Sequence, residues 1–332
     1  MKEIILNLHY PSPGDHTSFY RALGPLSVIS GLNVQPRGEV QYPELQADLA
    51  FVHRPFRSEE LEVIKMYKKY GVPVWIDYDD DFFNVTADSS AYFMFSHPKT
   101  RQNVVESLAA ADAVTVTTQV LADLYQVHTK KTIRVIPNAM PDWLAKRKQN
   151  PSGKKKVLWR GNTSHVRDMD LVKKEILEVA DVRRDWSWVF MGGYIPYDLK
   201  ERMIKAGIGF EVVSNLPLLN YFDELLEQAP SVVIVPLDET VFNRAKSNIA
   251  WIEATWAGAS TVAPSWPEWN KPGVIHYDDR RSFKETLIHA TVREWDTSAS
   301  WNHITENLML SKVNEARINV MQQLTQRNLI CQ

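Results

Sequence analysis

From Ser231 to Ser265 the chain reads SVVIVPLDETVFNRAKSNIAWIEATWAGASTVAPS. Arg244 and Lys246 precede a helix start at Ser247–Asn248, and Glu253 falls on the second turn of that helix. These types in this order suit a phosphorylated nucleotide. Cations and the N–H groups of a helix start can face a diphosphate. A carboxylate further along can accept hydrogen bonds from a ribose diol. The same residues also fit a solvated loop and a capped helix, since Ser and Asn are ordinary caps.

Other stretches carry comparable groups. RGNTSHVRD supplies Arg160, His165 and Arg167 around Gly161, where a ligand can approach the backbone closely; it also reads as a plain strand–helix turn. PSPGDHTS places Gly14 and His16 before a helix start near Thr17, without the GxGxxG dinucleotide fingerprint. WIDYDDDFF gathers Asp77, Asp79, Asp80 and Asp81. Carboxylates so close repel one another and call for cations, water or a metal, so a Mg²⁺ site at Asp79–Asp81 and a polar capping cluster both stay open. His53 and Arg54 end an apolar run; the histidine suits either a sugar hydroxyl or a structural hydrogen bond. Lys146, Arg147, Lys148, Lys154, Lys155 and Lys156 form a basic run near Trp143 and Trp159, which is a solvated connector or a contact for lipid or nucleic-acid phosphates.

The elements that position these groups alternate. Strands are predicted at Ile4–Leu8, Leu49–His53, Val72–Asp77, Ala113–Thr117 and Ile133–Pro137, with helices over Phe19–Ile29, Ser58–Tyr70, Val104–Ala111 and Val120–Val127. The pattern restarts at Val157–Trp159 and runs through Trp186–Met191, Phe210–Val213, Val232–Leu237, Ser260–Ala263 and Val274–Tyr277. This is an α/β chain of two Rossmann-like, doubly wound domains, with ligands at the carboxyl ends of the strands. The expected division is residues 1–140, a Pro-, Gly- and Lys-rich linker over 141–155, a second domain over 156–302, and a final helical segment, 303–332, returning to the first domain.

Composition agrees. A length of 332 residues at 44% hydrophobic content fits two cores rather than one. The net charge of −2 gives no general attraction to polyanions. Cys331 is the sole cysteine, which excludes intrachain disulfides and cysteine-based metal sites and fits a reducing cytoplasm. The opening MKEIILNLHY turns polar too soon for a signal peptide, and no apolar run nears the roughly 20 residues of a membrane span. Peripheral association with membrane or DNA stays open, as does the oligomeric state. The 11 tryptophans allow stacking surfaces for sugars or bases.

FNRAKSNIAWIEATWAGASTVAP resembles the donor-binding region of retaining GT-B glycosyltransferases of the group-1 type, and more closely a bacterial and phage branch with an FN–R–KSN–I–W–E signature. WIDYDDDFF, DAVTVTTQVLADLY, IRVIPNAMP and VLWRGNTSHVRDMDLV resemble further blocks of that branch, in the same order from Ile76 to Pro264. The resemblance implies a GT-B fold that binds a nucleoside diphosphate sugar, UDP-linked by preference, and transfers its hexosyl or pentosyl group. Arg160, Lys246 and the Ser247 and Asn248 amides would hold the diphosphate with help from Arg244, Gly14, Gly161 and His165 would line the donor site, and Glu253 would take the ribose. Many members carry a second Glu eight residues before that one, against the donor sugar; Ala245 stands there in this chain. Asp80 is the candidate to orient or deprotonate an acceptor, with His16, His53, Asp79 and Asp81 beside acceptor or sugar. No cofactor is required by this chemistry. The acceptor is expected to be a cell-envelope glycan, a lipid-linked sugar or a hydroxymethylated base in DNA. The rivals are a nucleotide-sugar epimerase or hydrolase of the same fold, a non-catalytic nucleotide-sugar-binding protein, and a phosphatase using Asp77–Tyr78–Asp79, against which Asp81 occupies a position expected to be small or β-branched.

Overall fold

In the computed structural model, residues 3–11, 15–38, 46–89, 91–161, 165–293, 295–326 and 330–331 are described. Gly14 lies outside them. The first half of the chain forms β1 (Ile4–His9), β2 (Ile29–Ser30), β3 (Leu32–Gly38), β4 (Leu49–His53), β5 (Val74–Tyr78), β6 (Ala113–Val116) and β7 (Ile133–Val135). Six of these make a parallel sheet in the order β3-β1-β4-β5-β6-β7. The second half forms β8 (Lys156–Arg160), β9 (Ser187–Met191), β10 (Phe210–Val213), β11 (Val232–Ile234), β12 (Ser260–Pro264) and β13 (Val274–Tyr277), parallel in the order β10-β9-β8-β11-β12-β13. A short β14 (Ile330–Cys331) pairs antiparallel with β2.

Helices cover both faces of each sheet, so central strands are buried throughout: every residue of β4, β5 and β12 is buried. Sheet order reverses between β1 and β4 in the first domain and between β8 and β11 in the second. The loops leaving those four strands therefore flank a crevice in each domain, which is where open α/β sheets bind ligands.

Local chemistry explains the departures from expectation. The helix expected over Phe19–Ile29 is two, His16–Arg21 and Leu23–Ser27, interrupted at Ala22. Pro25 lacks the N–H that would continue the first helix, and a Cβ on Gly24 would lie 2.3 Å from the Phe19 carbonyl oxygen. Its cap is Asp15, whose carboxylate accepts from Ser18 N at 3.2 Å. Strand β3 went unread because Pro36 interrupts its apolar run; an edge strand tolerates that proline. The C-terminal segment is likewise two helices, Ser298–Asn307 and Leu310–Thr325.

The last helix packs on the first domain. Asn314 Nδ2 donates to the Pro25 carbonyl at 2.8 Å, and the backbone of Met140 bonds Leu308 and Leu310, both at 2.8 Å. The connector over 141–155 lies against the second domain: Trp256 Nε1 donates to Leu144 O, and a Cβ on Gly258, held at φ +80°, would lie 2.5 Å from Asn150 O. Aromatic packing joins the domains, with Phe19 of the first and Phe222 of the second at 5.7 Å between ring centroids.

Candidate active site

A cavity of about 500 Å³ lies between the carboxyl ends of the two sheets. Its second-domain wall follows from the β8 and β11 switch point. Arg160 ends β8, and Gly161 follows it, its amide donating to Met191 O at 3.0 Å. Gly161 and Gly192 pack backbone to backbone: a Cβ on Gly192, held at φ +118°, would stand 1.7 Å from Gly161 O. His165 lines the cavity with its Nδ1 at 2.8 Å from Asp168 Oδ2, one helical turn on. The other Asp168 oxygen accepts from Asp238 N and Asn243 Nδ2, both at 2.8 Å, which ties the loop after β11 to the loop after β8.

That tied loop delivers Lys246, Ser247, Ile249 and Ala250 to the cavity, with Glu253 behind them on the helix Ile249–Trp256. Glu253 is only 2% exposed. Its Oε1 accepts from Tyr20 Oη at 2.8 Å; its Oε2 accepts from Tyr221 Oη at 2.6 Å and lies 2.8 Å from Arg160 Nε. Burial, then the neighbouring Glu253 carboxylate, holds the Tyr20 phenol well above its ordinary pKa, so it stays a donor.

The first-domain wall carries the acidic run, with Asp77 within β5 and Asp79, Asp80 and Asp81 in the loop that follows it. Asp77, within β5, is fully buried and takes two hydrogen bonds from Arg21, at 2.9 and 2.6 Å, and one from Thr115 Oγ1 at 2.6 Å. Burial opposes its ionisation, but Arg21 and His53 outweigh burial and hold the carboxyl well below the usual carboxylate range. Asp79 is held by Arg54 Nε and by Arg54 Nη2 at 2.7 Å, and Arg54 with His53 lowers its pKa net of burial, Asp77 itself acting against. Asp80 points across the cavity to Lys246, whose Nζ sits 3.1 and 3.0 Å from its two oxygens. Asp81 turns inward and accepts from the Phe83 and Asn84 amides and from Asn84 Nδ2; burial raises its pKa.

The cavity thus brings together Arg160, Gly161, His165, Lys246, Ser247 and Glu253 with His16, Asp79 and Asp80. Four other candidates stand elsewhere. Arg244 pairs with Glu239 and stacks on Trp266 at 5.2 Å, outside the lining. The Asn248 amide is directed to Glu268 Oε1 at 3.3 Å, away from the cavity. Asp81 supports a turn and not an acceptor. His53 is 2% exposed, behind the wall, 3.4 Å from Asp77 and 3.8 Å from Asp79. Asp79, Asp80 and Asp81 meet three different partners, and among the described residues no group of three His, Cys, Asp or Glu side chains is placed to hold a metal. Ala245 is fully buried against the first-domain core, and its carbonyl accepts from Thr118 Oγ1 at 3.0 Å.

Tyr20, Tyr221 and Gly192 were missed. Asp168 and His165 had a legible signal in their i, i+3 spacing. Tyr20 had none, being 233 residues from the carboxylate it meets.

No family model matches the chain, and no curated protein matches it by sequence. Solved structures do resemble it. A glycosyltransferase from Rickettsia africae ESF-5 is similar at 9% identity and a TM-score of 0.65, over 99% of this chain and 100% of that one. A putative UDP-N-acetylglucosamine 2-epimerase from Listeria monocytogenes is similar at 11% identity and 0.59, over 98% of each. TarM of S. aureus, solved as a mutant with Fondaparinux, alpha-GlcNAc-glycerol and UDP, is similar at 13% identity and 0.59, over 82% of this chain and 55% of that one. The chain therefore spans about half the length of TarM. The fold these likenesses establish is GT-B: two parallel six-stranded sheets facing each other across a cleft. Among the described residues no helix is long and apolar enough to cross a membrane.

Proposed function

We propose that the protein transfers a glycosyl group from a nucleoside diphosphate sugar to an acceptor hydroxyl, with retention at the anomeric carbon. The observation that carries this proposal is the second-domain wall, where Arg160, Lys246, the start of the helix Ile249–Trp256 and Glu253 surround one cavity at a sheet switch point. The bond from the anomeric carbon to the diphosphate breaks as the bond to the acceptor oxygen forms on the same face. The acceptor proton passes to the departing phosphate oxygen, so no side-chain nucleophile is needed. Lys246 and Arg160 act on the charge that develops on the diphosphate. Glu253 takes the ribose hydroxyls. A UDP-linked donor is favoured because TarM and the pneumococcal O-GlcNAc transferase GtfA were each solved with UDP.

The acceptor side presents Asp15, Thr17, Asp79 and Asp80 beside Phe82 and Phe95. Asp79 is matched by Arg54 and Asp80 by Lys246, so no surplus positive charge gathers there for a polyanion such as DNA, and rings beside paired charges favour an uncharged polyol, a glycan. The test is release of free nucleoside diphosphate from UDP- and GDP-sugars, with and without glycan, lipid-linked and hydroxymethylated-DNA acceptors. Glycan-dependent release is expected. The full-length likeness to a putative 2-epimerase supports a second reading: isomerised sugar or free diphosphate formed with no acceptor would replace transfer by that reading. Binding with no turnover on any acceptor would leave a nucleotide-sugar-binding protein.

A further inference from the structure

Two of the second-domain groups assigned to the donor, Lys246 and Glu253, already have partners from the first domain. Lys246 Nζ bonds both oxygens of Asp80, at 3.1 and 3.0 Å, as it would bond a phosphate. Glu253 Oε1 accepts from Tyr20 Oη, as it would accept from a ribose hydroxyl. Asn138 Nδ2 also donates to Ser247 Oγ at 2.9 Å. The two walls are thus joined at the points where the nucleotide is to bind.

Glu253 accepts from Tyr20 and Tyr221, lies 2.8 Å from Arg160 Nε, and its side chain is 3% exposed. A ribose diol can therefore reach the carboxylate only where a group that covers it moves aside. Tyr221 shares a domain with Glu253, whereas Tyr20 belongs to the opposite wall, on the six-residue helix His16–Arg21. Relative movement of two domains is the softest motion such a molecule has. Tyr20 is the partner that yields.

We propose that Tyr20 and Asp80 are specificity-determining competitors of the donor: the phenol stands in for a ribose hydroxyl on Glu253, and the carboxylate for a phosphate on Lys246. A nucleoside diphosphate replaces both at once, whereas a nucleoside alone displaces only Tyr20 and a phosphate alone displaces only Asp80. The inference rests on the donor-site assignment above.

Titration calorimetry with UDP, uridine and 2′,3′-dideoxyuridine diphosphate tests it. Tyr20→Phe keeps the ring and removes the competing hydroxyl. It is expected to tighten UDP and uridine about 2- to 10-fold, the span of one net hydrogen bond, and to leave the dideoxy compound unchanged. Asp80→Asn is expected to tighten UDP about 2- to 5-fold, as for a partly exposed ion pair, and to leave uridine unchanged. Asp15→Asn removes a charge from the same wall without freeing Lys246, and separates competition from general repulsion. Equal or weaker UDP binding by Tyr20→Phe, or Asp80→Asn no tighter than Asp15→Asn, overturns the proposal. If the wild type binds the dideoxy compound as well as UDP, it is the ribose role of Glu253 that fails, and the Tyr20 half with it.

Discussion

Arg21 grips Asp77 with two hydrogen bonds, at 2.9 and 2.6 Å, within a first-domain wall where both side chains are at most 2% exposed. Across the cavity Lys246 is 20% exposed and reaches its carboxylate, Asp80, only in the other domain. The two walls use charge differently. Behind the first, Asp77 and Asp79 are matched by Arg21 and Arg54 of the same domain, so the wall is neutralised internally and stiff. On the second, Lys246 depends on whatever stands opposite. Arg21, matched inside its own domain, contributes to the fold; Lys246, matched only across the cleft, is available to a ligand.

Removing one cation from each wall should break this comparison most visibly. Arg21→Ala leaves Asp77 buried and uncompensated, and should cost about 3–5 kcal/mol of stability by urea denaturation. Lys246→Ala removes a partly exposed pair and should change stability by at most about 1 kcal/mol, while lowering glycosyl transfer about 10²–10³-fold. If both variants lose stability alike, the walls do not differ in the way described.

The same contrast governs what the sequence could tell. The second wall was legible because Lys246, Ser247 and Glu253 belong to one strand–loop–helix unit, and Arg160 and His165 to another, each within a few residues of a strand end. The first wall offered only a run of four neighbouring carboxylates, open to a Mg²⁺ site or to polar capping. Adjacency left that choice open, whereas the loop after β5 sends Asp79, Asp80 and Asp81 to Arg54, to Lys246 and into a turn. Nothing local linked Tyr20 to Glu253 or Arg21 to Asp77, because those pairs form only when helix His16–Arg21 docks over the sheets.

Charge locked inside the first domain should also appear as a pH dependence. His9, at the end of β1, is 2% exposed with Nε2 at 2.9 Å from Tyr67 Oη. Burial, reinforced by Arg37, lowers its pKa to about 4. A histidine unfolds to a pKa near about 6.5, so the folded form resists protonation. Its contribution is fully present above about pH 6.5 and is lost as pH falls toward 4, amounting to about 3 kcal/mol. Stability measured by urea at pH 7.5 and 4.5 should fall less steeply in His9→Gln than in the wild type. An unchanged slope would mean that His9 is not held neutral.

The smallest effect sharpens the definition of the second wall. Arg244 and Lys246 are two residues apart, and sequence alone gives them the same claim on a diphosphate. Residue 245 separates their directions: its methyl is buried against the first domain, which turns Lys246 into the cavity and leaves Arg244 over Trp266, paired with Glu239. That pair is 43% and 69% exposed, in the range where an ion pair contributes little. Arg244→Ala should therefore leave both stability and UDP affinity within about 0.5 kcal/mol of the wild type. A tenfold loss of UDP affinity would place Arg244 on the donor after all, and would require the loop after β11 to rearrange when nucleotide binds.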